Sequence, residues 1–252
     1  MRSPASGSLA GAALRPDVMP DTTPNSELAV VKGRAVLFSE MTPRGGDEDT
    51  FNDFEDSHHT PGHLHRVPGV ISAMRYRSRV GPHYLTVYEL ESPATLKSEA
   101  YRNGMFTPDE PGHRMPQSVS GFTCYLGEET FWRVRDDSPL MPLDAPVIWC
   151  VFLSVPLEGI DSFARWFDGE YAPRLLEDPG WLMVRRFDTV EYDPEPYSQM
   201  MLHYLTDEAV RECPARAGAE TSDAFRDLAA QRWYQPHGVV YHRRRQRFLK
   251  NT

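Results

Sequence analysis

Two apolar segments of similar length begin matching halves of the chain. They cover residues 34–41 and 147–154, and each is followed closely by a proline, Pro43 and Pro156. Short runs rich in Val, Ile, Leu and Phe are typical of strands buried in a sheet. The pattern therefore predicts the first strand of two similar units.

An amphipathic stretch follows each of these strands and carries the same landmarks in both halves. A single offset of 112 residues relates Phe51 to Phe163, Phe54 to Trp166, His59 to Tyr171 and Pro61 to Pro173. Each stretch reaches a Pro-Gly turn, at 68–69 and 179–180. We therefore predict a helix and then a second strand in each half.

Third strands are predicted at 84–90 and 199–205, followed by polar helical segments and by last strands at 121–134 and 238–242. Each half thus has the order β-α-β-β-α-β, the ferredoxin-like motif, whose antiparallel sheet carries helices on one face only. Two such sheets in one chain can cover each other's bare faces. We predict an α+β fold in which two tandem ferredoxin-like repeats form an intrachain pseudo-dimeric α+β barrel. Chance similarity of ordinary strands is the alternative.

The predicted units are a first repeat at residues 33–135, a linker at 136–145 and a second repeat at 146–252. Residues 1–32 are rich in Ala, Gly, Ser, Pro and Thr and lack periodicity. Such a segment buries too little apolar surface to offset its ordering entropy. A flexible leader is therefore expected over residues 1–32.

Charge and composition narrow the range of partners. The chain has 36 Asp and Glu against 27 Lys and Arg, a formal net charge of −9, which disfavours nucleic acid and anionic membranes as partners. No apolar run approaches the ~18 residues of a membrane helix. Three widely separated cysteines, Cys124, Cys150 and Cys213, predict neither a disulfide framework nor a thiolate metal site. A reducing, cytoplasmic location is expected.

Common cofactor and nucleophile motifs are missing from the sequence. It has no Gly-rich phosphate loop, dinucleotide fingerprint or serine elbow, which argues against ATP-, NAD- and hydrolase-type chemistry. The aromatic residues, 5 Trp, 11 Tyr and 12 Phe, are enough to line a cavity for a flat ligand. They are equally enough for two ordinary cores.

The run FNDFEDSHHTP at 51–61 and the VPGV at 67–70 resemble the dimeric α+β barrel superfamily, in particular its EthD-like branch. The resemblance is stronger in the first repeat. It implies a small-molecule enzyme, since the superfamily includes polyketide cyclases, cofactor-independent monooxygenases, lactone isomerases and haem enzymes, among which fold alone does not choose. Repeat 2 has Glu170-Tyr171 in place of His58-His59. One working pocket near repeat 1 is therefore expected, with divergence without functional meaning as the alternative.

The resemblance makes His59 the main catalytic candidate, because the helix histidine of several family members lies at the pocket. Imidazole suits proton transfer, since its ordinary pKa of ~6.5 lets it give and take a proton near neutrality. On a helical projection His58 falls nearer the stripe of Phe51 and Phe54, so it is kept as a second candidate. The alternative is a histidine at the helix end or in solvent.

A metal site is not predicted, although four histidines lie close together, at His58, His59, His63 and His65. Pro61 is expected to end or kink the helix between them. Imidazoles without a fixed frame are a weak ligand set, so no metal is expected here.

Alternation along the third strands places Tyr88 and His203 at equivalent positions. If their face is the barrel interior, both can donate hydrogen bonds to a substrate in an apolar setting. Structural hydrogen bonding is the alternative. The candidates for substrate contact are Phe38, Glu40, Phe54, Trp149, Trp166, Tyr171 and Arg75. A solvated Glu40 and a surface-paired Arg75 are the corresponding alternatives.

Together the residues and the resemblance predict a cofactor-independent enzyme that uses general acid/base chemistry. It would act as a cyclase, dehydratase or isomerase on a small, apolar or aromatic, polyketide-like metabolite. His59 would transfer the proton, while His58, Tyr88 and His203 would position the substrate. Two alternatives stay open: a haem-binding protein or cofactor-independent oxygenase, and a non-catalytic ligand-binding or partner protein. The sequence also leaves open a homodimer of the internally paired barrel.

Overall fold

Eight antiparallel strands close into one barrel in the computed structural model, which describes residues 26–104 and 119–250. A short ninth strand lies against the outer edge of the second. The strands are β1 (Ala35–Pro43), β2 (Val70–Ser78), β3 (Tyr84–Leu90), β4 (Val119–Val134), β5 (Val147–Leu153), β6 (Trp181–Asp193), β7 (Gln199–Leu205), β8 (His237–Arg243) and β9 (Phe248–Leu249).

The barrel consists of two ferredoxin-like sheets joined edge to edge. Repeat 1 contributes the order β4-β1-β3-β2 and repeat 2 the order β8-β5-β7-β6. The two sheets meet where β4 pairs with β6 and where β2 pairs with β8. The prediction of two tandem ferredoxin-like repeats in an intrachain pseudo-dimeric barrel is confirmed.

Within the described ranges eight short α-helices accompany the two sheets, and all but the first lie on their outer faces. They are α1 (Ser26–Val31), α2 (Glu48–Phe54), α3 (Thr60–Arg66), α4 (Glu99–Gly104), α5 (Ile160–Trp166), α6 (Ala172–Leu175), α7 (Pro214–Ala219) and α8 (Asp223–Ala229). A π-helical turn, Glu55–His59, joins α2 to α3, and a second, Phe167–Tyr171, joins α5 to α6 at the equivalent position of repeat 2. Within the described ranges, every helix is too short or too polar to cross a membrane.

The N-terminal helix α1 packs against one end of the barrel. Leu28 is fully buried in the barrel core, and the Ser72 hydroxyl donates a hydrogen bond to the Val31 carbonyl at 3.0 Å. The expectation of a flexible leader over residues 1–32 is therefore wrong for its last part, because an apolar side chain there finds a site in the core. Residues 1–25 lie outside the described ranges.

A buried ion network closes the same end of the barrel. The guanidinium of Arg185 donates to Glu89 Oε1 at 2.5 Å and to Glu129 Oε1 at 2.6 Å. Lys32 contacts the second oxygen of Glu129, and the Gly33 amide donates to Glu89 at 2.8 Å. Because two cations meet two carboxylates, the charges are balanced where water is excluded.

The sheet separates two kinds of hydrophobic core, one inside the barrel and one between each outer face and its helices. The barrel interior is apolar and draws on both repeats, with the Phe38 and Phe152 rings 5.3 Å apart. Each outer face packs against its own helices, and the space between them is called here the helix–sheet layer of that repeat. Tyr88 and His203 do occupy equivalent positions, but they face these layers and not the barrel interior. The reason is the phase of the strand, since Leu85 and Val87 of β3 point inward.

Candidate functional site

Pro61 was expected to end or kink the helix of repeat 1, and the helix continues through it after a π-helical turn. The Thr60 amide donates to the Glu55 carbonyl five residues back, and α3 then runs on to Arg66. A proline in a regular helix clashes with the preceding turn and lacks a donor. The wider π-helical turn removes this conflict, because it shifts the hydrogen-bond register just before the proline.

The π-helical turn brings a glutamate and two histidines together at the sheet. His59 Nε2 lies 3.9 Å from Glu55 Oε1, and the side chain of Glu55 is only 1% exposed. The rings of His59 and His63 are 4.5 Å apart, and His63 stacks on Tyr88 at 4.9 Å. The side chain of His59 is 18% exposed, so this imidazole connects the layer with solvent.

Glu55 is held on one oxygen only. Its Oε2 accepts a hydrogen bond from the Thr60 hydroxyl at 3.2 Å and lies 3.8 Å from Arg75 Nε. Glu55 Oε1, His63 Nε2 and Tyr88 Oη make no hydrogen bond of normal geometry with any described residue. Buried polar atoms are rarely left without a partner, so each of these three atoms has hydrogen-bonding capacity that the described residues do not use.

Burial sets the protonation of the two inner side chains. Burial first, and then the neighbouring His59 and Arg66, lower the pKa of His63 to about 3. Burial, reinforced by the Glu55 charge, raises the pKa of Tyr88 well above its ordinary value. At neutral pH the layer therefore presents a neutral imidazole and a protonated phenol, a hydrogen-bond donor.

The guanidinium of Arg75 is engaged by the protein. It contacts Asp56 and donates to the Asn52 side-chain oxygen at 3.1 Å. Repeat 2 has the same arrangement, since Arg186 donates to both oxygens of Asp168 at 3.0 and 2.7 Å. The repetition indicates that this pair ties each π-helical turn to its sheet. The role of Arg75 in substrate contact stays a prediction.

The helix–sheet layer of repeat 2 is lined mainly by aromatic and apolar side chains. His203 stacks on Trp149 at 4.8 Å, and Trp166 stacks on Tyr171 at 4.6 Å. At the positions of Glu55, His59, Thr60 and His63, repeat 2 has Phe167, Tyr171, Ala172 and Leu175. The Glu55–His59–His63 cluster is therefore confined to repeat 1. The equivalent positions of repeat 2 are apolar or aromatic, and the polar groups nearby are His203 and the Tyr171 hydroxyl, which donates to Glu220 Oε1 at 3.3 Å.

The predicted site residues lie in three separate places. The layer of repeat 1 contains His59, His58, Tyr88, Phe54 and Arg75. His58 is exposed there, beside Phe54. The layer of repeat 2 contains His203, Trp149, Trp166 and Tyr171. Phe38 and Glu40 belong to the barrel, where the Tyr241 hydroxyl donates to Glu40. His203 and His59 therefore do not share one pocket.

Sequence reasoning missed Glu55 and Thr60 and considered His63 only as a metal ligand. A signal was present in the repeat itself, because the 112-residue offset sets Glu55 against Phe167 and Thr60 against Ala172. Polar residues at positions where a related unit has apolar ones point to a local function.

The described ranges show no cluster of metal ligands, and His203 is not placed to bind haem. No group of three or more His, Cys, Asp or Glu side chains there is arranged to hold a metal ion. His203 is enclosed by the rings of Trp149, Trp181 and Phe167. A porphyrin at His203 would have to displace these rings, so the packing does not fit haem at that position.

Comparisons with known proteins address the fold. No family model and no curated protein matches the sequence. An anthrone oxidase-like protein superimposes with a TM-score of 0.61 at 12% identity, covering 86% of this chain and 94% of that chain. A proposed monooxygenase from Fusobacterium nucleatum gives 0.56 at 11% identity, covering 86% and 95%. A mutant chlorite dismutase from Candidatus Nitrospira defluvii gives 0.53 at 7% identity, covering 87% and 94%.

These similarities, together with the closed eight-stranded barrel, show the fold. The chain has the dimeric α+β barrel fold, with both halves of the barrel in one polypeptide. At such low identities the neighbours show the fold alone. Membership of the EthD-like branch stays a prediction.

Proposed function

We propose that this protein is an enzyme that removes a proton from a small, enolisable, apolar or aromatic molecule in the helix–sheet layer of repeat 1. One observation carries the proposal. His59 and the buried Glu55 face each other at 3.9 Å in a layer whose counterpart in repeat 2 is packed with apolar and aromatic side chains. A buried carboxylate beside a partly exposed imidazole is the arrangement expected of an acid/base pair.

In this mechanism His59 is the base. It takes a proton from a carbon next to a carbonyl group, and the electron pair of the broken C–H bond moves onto the carbonyl oxygen. Glu55 orients the imidazole and stabilises the positive charge that develops on it. The Tyr88 hydroxyl, kept protonated by burial, donates a hydrogen bond to the developing enolate.

The return of the proton determines the product. Delivery to another carbon gives an isomer, and delivery to a hydroxyl leaving group gives dehydration. Attack of the enolate carbon on a second carbonyl gives a ring. The shape of the substrate selects among these outcomes, and the same residues serve each of them. No step of this mechanism requires an organic cofactor.

Oxygenation is a second candidate, favoured by the similarity to an anthrone oxidase-like protein and a proposed monooxygenase. The first step would be the same deprotonation. The anion would then be oxidised by dioxygen, which is reduced in turn, so that only the fate of the anion differs. A haem-dependent reaction has no comparable support from the packing around His203.

The test is proton exchange into an enolisable aromatic ketone, with anthrone as the first probe. Deuterium incorporation from solvent is followed by NMR, and oxygen uptake in the same samples separates oxygenation from simple proton transfer. We expect His59→Asn and Glu55→Gln to slow the reaction by about 10²- to 10⁴-fold. Tyr171→Phe, the matched control at the His59 position of repeat 2, should stay within about twofold, since Phe167 stands there in place of Glu55.

Two results would argue against this function. Wild-type rates in His59→Asn would remove the proposed base, and an equal loss in Tyr171→Phe would move the reaction to repeat 2. Tight binding of the probe without exchange or oxygen uptake would favour a non-catalytic ligand-binding protein.

A further inference from the structure

A groove rich in arginine lies at the end of the barrel where β2 and β8 pair. It has a volume of about 710 Å³, and its charged lining consists of Glu48, Arg77, Arg79, His242, Arg243 and Arg244. Ligand sites in proteins commonly have volumes of ~300–1,000 Å³. The groove is therefore large enough for a small molecule, and its lining is mainly cationic.

The carboxylates around the groove are shared among several cations. Asp56 contacts Arg75, Arg244 and Arg245 at once. Glu55 also lies 3.8 Å from Arg75, so two carboxylates face three guanidiniums and positive charge remains. Arg244 and Arg245 belong to the basic run at residues 242–247, which therefore contacts repeat 1 at Asp56.

A second carboxylate is shared in the same way. Glu208 lies 3.6 Å from Arg79, 3.0 Å from Arg211 and 3.1 Å from His242. Arg243 donates to the carbonyl oxygen of Asp144, and no carboxylate of residues 26–104 or 119–250 forms an ion pair with it. Cations therefore outnumber anions in the groove of a chain whose formal net charge is −9.

The outermost arginines are exposed, so a ligand in solvent can contact them. The side chain of Arg79 is 72% exposed and that of Arg77 is 53% exposed. Arg77 pairs with Glu48 at 2.8 Å, and this exposed pair contributes little to stability. Guanidinium groups offer paired donors that match the oxygens of phosphate.

We propose that this groove binds the phosphate group of a small molecule, either free phosphate or a phosphate monoester. A dianion would supply the negative charge that the shared carboxylates lack, and several guanidiniums could donate to it together. The groove adjoins the π-helical turn of repeat 1, since Arg244 and Arg75 meet at Asp56, the residue after Glu55. The inference rests on charge and geometry and is independent of the proposed reaction.

Isothermal titration calorimetry at constant ionic strength tests it, with inorganic phosphate and phenyl phosphate as the two probes. We expect saturable binding that weakens about tenfold or more in Arg79→Gln and in Arg243→Gln, the loss usual for a charge-assisted hydrogen bond. The control is Arg174→Gln, an exposed arginine outside the groove that pairs with Glu177 at 2.6 Å. It should bind as the wild type does.

The two probes distinguish the sources of the phosphate. Equal affinities identify free phosphate as the ligand, and tighter binding of phenyl phosphate identifies an ester. Absence of saturable binding of both probes to the folded wild type would overturn the proposal, as would unchanged affinity in both groove variants or an equal loss in Arg174→Gln. Circular dichroism of each variant confirms that it is folded, and no outcome depends on catalytic activity.

Discussion

Replacing His63 by leucine should stabilise the protein, and more so in acid. The change gives repeat 1 the residue that repeat 2 has at the equivalent position, Leu175, which is fully buried. His63 is buried against Tyr88, and its Nε2 has no hydrogen-bond partner among the described residues. Leucine removes an unsatisfied polar atom from the core, which is worth about 1 kcal/mol at neutral pH.

The acid contribution follows from the pKa of His63, which burial lowers from 6.5 to about 3. Below pH 6.5 the unfolded chain takes up a proton at this residue that the folded protein excludes, so stability falls as the pH falls from 6.5 toward about 3. At pH ~5, which is ~1.5 units below the ordinary pKa, this effect lowers the free energy of unfolding by about 2 kcal/mol. Leucine does not titrate and so avoids this loss. The free energy of unfolding of the variant should therefore exceed that of the wild type by about 3 kcal/mol at pH ~5 and by about 1 kcal/mol at pH ~7.5.

Urea denaturation followed by circular dichroism at both pH values measures these differences. His65→Leu is the matched control, because His65 is exposed two residues further along the same helix and its replacement removes no buried polar atom. An unchanged pH dependence in His63→Leu, or lower stability at both pH values, would refute the reasoning. It would show that the imidazole is hydrated or hydrogen bonded in solution.

Three further substitutions test the packing of the barrel. Arg185→Met leaves Glu89 and Glu129 buried without their main counter-charge, so the free energy of unfolding measured in urea should fall by about 3–5 kcal/mol. Leu28→Ala should cost about 3 kcal/mol in the same assay, because the side chain is fully buried at the barrel end. Gly127→Ala should lower the thermal midpoint and cost about 1–3 kcal/mol, since its Cβ would meet the Phe187 Cβ at 2.9 Å.

Matched controls accompany these three substitutions. Arg174→Gln removes an exposed arginine, and Val30→Ala shortens a side chain of α1 that is 69% exposed, so both should change stability by less than about 0.5 kcal/mol. Gly169→Ala adds a methyl group with open space around it and should not destabilise the protein. A small effect of Leu28→Ala, equal to that of Val30→Ala, would show that α1 does not pack on the barrel in solution.

The architecture could be predicted because the chain contains it twice. The third strands were predicted at 84–90 and 199–205, the bounds that the structure has for β3 and β7. The first strand was placed at 34–41 and runs from Ala35 to Pro43. Buried strands and Pro-Gly turns leave local signals, and the two repeats supported each other. The helix α1 was missed because a short helix held by Leu28 gains its stability from tertiary packing and not from its own sequence.

The site could be predicted only in part, because it depends on which face of each strand is turned inward. Alternation set Tyr88 and His203 on equivalent faces, but it could not tell the barrel interior from the helix side, since both are apolar. The continuation of the helix through Pro61 depends on a π-helical turn, which has no simple sequence pattern. The same turn contains Glu55 and places its side chain in the site.

The location of a bound ligand tests the central claim most directly. A crystal structure of the protein with anthrone, or with whichever aromatic ketone the exchange assay selects, would show it. We predict that the ligand lies between α3 and β3 in repeat 1, with its carbonyl oxygen at Tyr88 Oη and its acidic C–H group facing His59. A ligand in the barrel beside Glu40, or beside His203 in repeat 2, would contradict the account.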